Sequence, residues 1–356
     1  MKEKLEVGIL GATGMVGAEY VRMLANHPWF SIKYVVGKKS AGKKFKEAKA
    51  GEWVTSYEPP KEISEMMVEE ANAEKQNADM FFSCLPTDAA RELEPLYAKY
   101  FPTYSDASAY RMEPDVPLLI PEINHEQWVL VKEQKKRGWK GFLTTGPNCT
   151  SIGLNVTLKP LHEEFKIKKI VVATMQAVSG AGFPGVASMS ILDNVIPYIK
   201  DEEEKVFVET NKILGKVVDN RVEFANIDVA AMCHRVPTID GHMESVFIET
   251  EKKITPEDAA GVLRNFRGLP QELKLPTAPD QPIIVREEPD RPQTRLDRYA
   301  GSVPGMSVVV GRIRKGFDDH SLRYTLLSHN TIRGAAGNTI LTAEMFHKEG
   351  WMYDYR

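Results

Sequence analysis

From residue 5 to about residue 145, short apolar runs rich in β-branched and aromatic side chains alternate with stretches of helical period. The runs are LEVGIL (5–10), SIKYVV (31–36), DMFFSCL (79–85) and GFLTTG (141–146). Between the last two, TDAARELEPLYAKY (87–100) spaces its apolar residues for a helix, with Thr87 and Asp88 as candidate caps. Buried strands alternating with helices are the pattern of βαβ units, so an α/β domain with a doubly wound parallel sheet is expected. After about residue 150 the runs lengthen to KKIVVATMQAV (168–178), HMESVFIETE (242–251), MSVVVGRIR (306–314) and LRYTLLSHN (322–330). Several alternate apolar with polar, as a sheet covered on one face requires, which predicts an α+β domain with a large mixed or antiparallel sheet. Thr255 and Pro256 open a helix there as N-cap and first helical residue. The stretch RGAAGNTILTAEMFHK (333–348) is again helical and is expected to pack back on the first domain. The predicted organisation is a first domain of residues 1–149, completed by 333–356, and a second of residues 150–332. KEISEMMVEEANAEKQN (61–77) reads as a solvated helical face, and the proline-rich stretch 275–292 as a long ordered connection.

Composition narrows the classes of function. The 356 residues carry 46 Lys and Arg against 49 Asp and Glu, a net charge of −3, so there is no polybasic footprint for nucleic acid. No apolar run approaches the roughly 20 residues of a membrane helix, and the opening MKEKLEVGILGATG has no signal-peptide hydrophobic block. A soluble, cytoplasmic protein is expected, with neither nucleic acid nor membrane as partner. Cys84, Cys149 and Cys233 make neither a disulfide framework nor a metal-ligand cluster, so no metal is expected and one of them could be a reactive thiol.

The first strand runs into Gly11-Ala12-Thr13-Gly14-Met15-Val16-Gly17 and then a helix to about Asn26. Glycines between strand and helix let backbone amides and a helix N-terminus approach a pyrophosphate, and Thr13 can add its hydroxyl. In this place the turn marks a Rossmann-type dinucleotide domain. A site for NAD usually carries an acidic residue just after the second strand; here Gly37-Lys38-Lys39-Ser40 follows Val36, with Lys43 and Lys44 beyond. Cations and a hydroxyl suit a 2′-phosphate, and NADP is expected as cofactor.

Of the cysteines, Cys84 lies in a run read as a buried strand and Cys233 among small apolar residues, whereas Cys149 follows Gly-Pro-Asn148 at the start of a helix. A helix N-terminus favours the thiolate, which makes Cys149 the candidate nucleophile. A dinucleotide fold with a nucleophilic cysteine points to aldehyde chemistry through a thiohemiacetal and a thioester. Such chemistry needs a proton shuttle, and His242 sits at a Gly turn before a strand, with His234 and His329 as competitors.

Together these residues resemble the aspartate-semialdehyde dehydrogenase family, in particular its archaeal and fungal branch, over essentially the whole chain. GATGMVG looks like that family's cofactor loop, which implies NADP contacts from Gly11, Thr13, Gly14, Met15 and Val16, with Lys38 and Ser40 beyond. Pro147-Asn148-Cys149-Thr150 is similar to its active-site cysteine motif, and Met175-Gln176-Ala177-Val178-Ser179-Gly180 to the segment whose glutamine meets the substrate. The same likeness places Ser179 and Gly180, together with Ser83 and Asn330, at the cofactor. Arg235 and His242 look like the pair in which arginine holds the substrate carboxylate and histidine moves protons. Arg111 and Lys205 resemble the phosphate site, Glu202 the acidic substrate contact, with Glu203 and Glu204 as alternatives in register, and Asn148 a further substrate contact.

The resemblance implies NADP-dependent interconversion of L-aspartate 4-semialdehyde plus phosphate with 4-phospho-L-aspartate, a step of lysine, threonine and methionine biosynthesis. It implies an acyl group carried on Cys149, with the amides around Asn148 and Cys149 as candidate oxyanion donors. It further implies a homodimer or homotetramer built through the second domain. Two rivals remain: a malonyl-CoA or succinyl-CoA reductase of the same fold, and an NADP-binding sensor without activity.

Overall fold

A computed structural model of the chain describes residues 4–49 and 57–354. Its first sheet contains β1 (Leu5–Leu10), β2 (Phe30–Val36), β3 (Val68–Glu69), β4 (Met80–Ser83), β5 (Thr103–Ser105) and β6 (Leu143–Thr145). All pair in parallel, in the order β3-β2-β1-β4-β5-β6. This is the doubly wound order, and the direction in which successive strands are added reverses between β1 and β4, leaving a crevice at the carboxyl ends of those two strands. A two-stranded ribbon, β8 (Lys216–Val218) and β9 (Arg221–Glu223), follows β7 (Ile167–Gln176). The second sheet joins β7 to β10 (Asp228–Arg235), β11 (His242–Thr250), β12 (Ile283–Val285), β13 (Val308–Lys315) and β14 (Ser321–Ser328). Its order is β10-β7-β11-β14-β13-β12; the outermost pairs are parallel and the inner three antiparallel, so of the two forms expected the sheet is mixed.

Six helices carry most of the packing: α1 (Met15–Leu24), α2 (Thr87–Ala98), α3 (Cys149–Phe165), α4 (Glu202–Ile213), α5 (Pro256–Asn265) and α6 (Gly337–Lys348). One face of the first sheet buries Val7, Ile9 and Phe82 against Tyr20 and Leu24 of α1 and Ile340, Leu341 and Phe346 of α6. The end of the chain thus returns to the first sheet, as its helical pattern predicts; residues 355 and 356 of that segment lie outside the described residues. Helix α3 is buried on nearly every side, with Leu154, Leu158 and Leu161 fully enclosed against the second sheet. Each such leucine contributes about 1.5–3 kcal/mol of burial, which makes α3 a rigid base for whatever its first turn presents. Thr255 caps α5 by accepting from Asp258 N at 3.1 Å, as read.

Four local expectations need correction. Helix α2 begins at Thr87 itself, after Pro86, and no side chain caps it; the Thr87 hydroxyl pairs with Ser108 instead. Only Lys61–Ser64 of the 61–77 stretch is helical, and Val68–Glu69 is an edge strand beyond which Ala73 and Gln76 are buried. The charges there mask a short strand because two residues give no period to read. The 275–292 connection contains β12, parallel to β13 at the sheet edge. Finally, β10 runs through VAAMCHR, whose small side chains carry too weak a pattern to mark a strand.

Helix α2 also places an acid beneath the crevice. Glu94 is fully buried, accepts from the hydroxyls of Ser83 and Ser105, and leaves Oε2 without a partner among the described residues. Burial pushes its pKa up to about 7, against the two hydroxyls. A raised carboxyl pKa means the folded state holds the proton more tightly, so this stabilisation is complete below the unfolded value near 4.5 and is lost as pH rises through 7. The loss is about 3 kcal/mol over that interval, at about 1.4 kcal/mol per pH unit. Thermal melts are expected to show wild type losing several degrees between pH 5 and pH 8 relative to Glu94→Gln; parallel profiles would refute the assignment.

Candidate active site

The carboxyl end of β1 turns at Gly11, whose φ of +86° favours glycine, and the amides of Gly11 and Ala12 bond to Val36 O at 2.9 and 3.2 Å. A Cβ on Gly17 would lie 2.4 Å from the Gly11 carbonyl oxygen, so α1 packs directly on the turn. Gly14 is the N-cap of α1 and offers no side chain there, so the first amides of the helix are left for an anion. Thr13 Oγ1 lies 3.3 Å from Ser40 Oγ, which ties the turn to the loop after β2.

A cavity of about 1370 Å³ starts here and ends at the second sheet. Gly11, Thr13, Gly14, Met15 and Val16 line one end, beside Lys38, Lys39, Ser40 and Lys43. Glu70, just past β3, joins them, but no acidic residue follows β2 directly. At the other end lie Arg111, Asn148, Cys149, Ser179, Gly180 and Asn330. Asn330 ties two of these loops together, since Nδ2 donates to Ser179 Oγ at 2.8 Å and Oδ1 accepts from Gly241 N at 2.9 Å. Ser83 is not among the lining residues; it is fully buried and its hydroxyl donates to Glu94.

Cys149 is the first residue of α3, and its sulfur lies 3.2 Å from His242 Nε2. His242 opens β11 after the Gly241 turn and is completely buried. Its Nδ1 accepts from Ala177 N at 3.1 Å, so the hydrogen-bond pattern assigns the neutral ring's proton to Nε2, facing the sulfur. Burial, then Arg235 and His329, push the imidazole pKa down to about 3. The sequence reading of a thiolate favoured by the helix end is incomplete: burial first, and Glu202 next, push the thiol up to about 12, while Arg111 and Arg235 pull it down. Burial thus favours the neutral thiol and the neutral imidazole, while the two arginines favour the thiolate. The other sulfurs stay out of this chemistry: Cys233 is buried in β10, and the Cys84 thiol donates to Leu10 O at 3.2 Å. His329 is buried against the Tyr299 ring, and His234 bonds Thr174 O.

Arg235 ends β10 with Nη1 donating to Ala177 O at 2.6 Å. A Cβ on Gly180 would meet that Nη1 at 2.7 Å and His242 Cε1 at 3.1 Å, so glycine lets the 178–181 turn close over both. Gln176 ends β7 in the neighbouring register, with Nε2 donating to Thr174 Oγ1 at 3.2 Å. Arg111 is buried, and Lys205, about a third exposed, lies 3.9 Å from Glu202.

Helix α4 turns Glu202, and not Glu203 or Glu204, toward Asn148. Glu202 is buried, receiving Asn148 Nδ2 at 3.1 Å and Thr150 Oγ1 at 3.2 Å, whereas Glu203 accepts from Cys233 N and Glu204 is exposed. Asn148 caps α3 by accepting from Thr150 N at 2.9 Å, and its own N–H donates to Glu209 Oε2 at 2.7 Å. Two expectations change as a result: the Asn148 side chain is occupied as cap and Glu202 partner, and its backbone amide is unavailable as an oxyanion donor, which leaves the Cys149 amide. Glu209 and Lys212 were not singled out from sequence. Glu209 stands seven residues, about two turns, after Glu202 and so on the same helix face, a spacing that could have found it.

Comparisons with known proteins agree with this geometry. The chain matches the family model for the semialdehyde dehydrogenase NAD binding domain over residues 6–130 and the semialdehyde dehydrogenase dimerisation domain over residues 158–333. It is 50% identical to an aspartate-semialdehyde dehydrogenase of Archaeoglobus fulgidus, over 97% of this chain and 99% of that one. It is 41% identical to a malonyl CoA reductase (NADP) of Metallosphaera sedula, over 99% of each chain. Among solved structures, the aspartate semialdehyde dehydrogenase of Candida albicans with NADP superposes with a TM-score of 0.87 at 37% identity, over 98% of this chain and 99% of that one. The chain belongs to the aspartate-semialdehyde dehydrogenase family.

Proposed function

We propose that this chain is an NADP-dependent enzyme that converts 4-phospho-L-aspartate to L-aspartate 4-semialdehyde and phosphate, reversibly, with the acyl group held on Cys149. The observation that carries this reading is the Cys149 sulfur 3.2 Å from His242 Nε2, at one end of a dinucleotide-sized cleft lined there by Arg111. We place the cofactor in a first domain of residues 1–149, completed by 333–356, and the catalytic and dimerisation domain at residues 150–332, with Cys149 at the boundary between them.

The residues fit the cofactor: the glycine cradle and α1 amides take its pyrophosphate, and Lys38 and Ser40 its 2′-phosphate. When bound, the nicotinamide supplies or accepts the hydride. The rest falls to the chain. Arg235 takes the substrate carboxylate in its fork. That carboxylate offsets the Arg235 charge, which after burial is the next contribution to the lowered imidazole pKa. Arg111, with Lys205, takes the phosphate as the Cys149 sulfur attacks the carbonyl carbon; the carbon–oxygen bond to phosphate breaks, and the thiol proton leaves on the departing phosphate. The Cys149 amide is aimed at the developing oxyanion, and His242 Nε2 exchanges the proton of the thiohemiacetal oxygen. Substituting Lys38→Ala with Ser40→Ala is expected to raise the KM for NADP about 10- to 100-fold by removing charge-assisted contacts, with little change for NAD; equal changes for both cofactors would refute the 2′-phosphate role.

Reduction of NADP by L-aspartate 4-semialdehyde is expected to require phosphate or arsenate. A reaction that ignores phosphate but requires coenzyme A would instead support the reductase chemistry of the Metallosphaera relative.

The uncovered face of the second sheet is apolar along the edge formed by β7 and β10, where Val171 and Met232 are 51% and 61% exposed. A second copy of the chain covers this face in our reading, giving a homo-oligomer. Val171→Glu with Met232→Lys is expected to reduce the molecular mass measured by light scattering to that of one chain. A wild-type protein already monomeric would contradict the assignment.

A further inference from the structure

Arg111 is held from two sides before any ligand arrives. Nη1 donates to Glu209 Oε1 at 2.9 Å and Nη2 to the Asp106 carbonyl at 2.7 Å, while the buried Nε has no partner among the described residues. The other oxygen of Glu209 receives the Asn148 N–H at 2.7 Å, one residue before the nucleophile. Glu209 is itself 2% exposed. One turn on, Lys212 Nζ donates to the carbonyls of Arg111, Glu113 and Val116 at 2.6, 3.0 and 3.0 Å, which holds the backbone of the arginine as well. A single buried carboxylate thus couples the loop that launches Cys149 to the guanidinium that faces the cavity.

Such an arrangement has two physical consequences. It sets the spacing between nucleophile and anion site, because both hang from the same rigid side chain on α4. It also reduces the charge that an incoming anion meets, because part of the guanidinium field is already compensated by Glu209. A phosphate that must leave after acyl transfer benefits from a site that holds it loosely.

We propose that Glu209 is a positioning residue that keeps Arg111 and the Cys149 loop in register and whose negative charge weakens the enzyme's grip on phosphate. This rests on the proposed phosphate-dependent reaction. Neither Lys205 nor Glu202 does the same work, since Glu202 accepts from the Asn148 side chain and Thr150 and pairs with Lys205, which lies out toward solvent.

The test is the phosphate dependence of NADP reduction with L-aspartate 4-semialdehyde in wild type, Glu209→Gln and Glu209→Asp. The rate of Cys149 alkylation by iodoacetamide is measured alongside. Glutamine removes the charge and must turn its NH2 toward one of the two donors, so the phosphate KM is expected to fall about 3- to 10-fold while kcat falls and alkylation changes. Aspartate keeps the charge but is one methylene shorter, so it is expected to hold the phosphate KM within twofold of wild type while kcat drops. Glu209→Gln with an unchanged or higher phosphate KM would overturn the inference, as would a KM in Glu209→Asp that falls as far. Should Glu209→Gln fail to fold, the aspartate variant alone decides: a several-fold fall in its phosphate KM, or a kcat and alkylation rate equal to wild type, overturns the proposal. Wild type that shows no phosphate dependence at all would instead refute the underlying reaction, a separable outcome.

Discussion

Cys149→Ser is expected to lose at least about 10⁴-fold in turnover with L-aspartate 4-semialdehyde, phosphate and NADP. The oxygen nucleophile is far less ionised than a thiol, and the oxygen ester it would form is a poorer acyl donor to phosphate. The substitution changes one atom at the start of a helix whose cap, Asn148, and buried face are untouched, so melting temperature and NADP binding are expected to stay near wild type. Steady-state rates and a cofactor titration on one preparation check both halves. Activity within tenfold of wild type would remove the covalent step from the mechanism.

His242→Gln is expected to lower kcat about 10²- to 10⁴-fold, the range typical for removing a positioned acid or base. Glutamine can still fill part of the space beneath Ala177, but it cannot carry a proton to and from the thiohemiacetal oxygen. Its effect should fall mainly on kcat, because Arg235 and Arg111 still hold the substrate's two anionic ends. A solvent isotope effect present in wild type and altered in the variant would tie the loss to proton movement. A rise in KM with kcat unchanged would assign His242 to binding instead.

Much of this site could be read from sequence because its chemistry is concentrated in short motifs at strand ends. The glycine turn after β1, Cys149 at the start of α3 and His242 at the start of β11 are all local signals; the fold brings the first two to one cavity and His242 against the Cys149 sulfur. Apolar period likewise marked the long strands of the second sheet and the returning helix. What escaped was non-local or patternless. Strand β10 is built from small residues, and β3 and β12 are too short to show alternation. Ser83 sits where a cofactor contact is expected, yet a glutamate eleven residues on turns its hydroxyl inward. Glu209 meets Arg111 across 98 residues of chain, a contact no spacing rule contains. The helix-end argument for a thiolate is incomplete for a related reason, since burial in the folded site pushes the thiol the other way.

The acyl group on Cys149 can be observed directly. Enzyme mixed with NADP and L-aspartate 4-semialdehyde in the absence of phosphate, quenched in acid and digested, should yield the Cys149 peptide heavier by one aspartyl group, with one NADPH formed per site. Adding phosphate before the quench should discharge it. An unmodified Cys149 peptide after a full equivalent of NADPH has formed would contradict the covalent route.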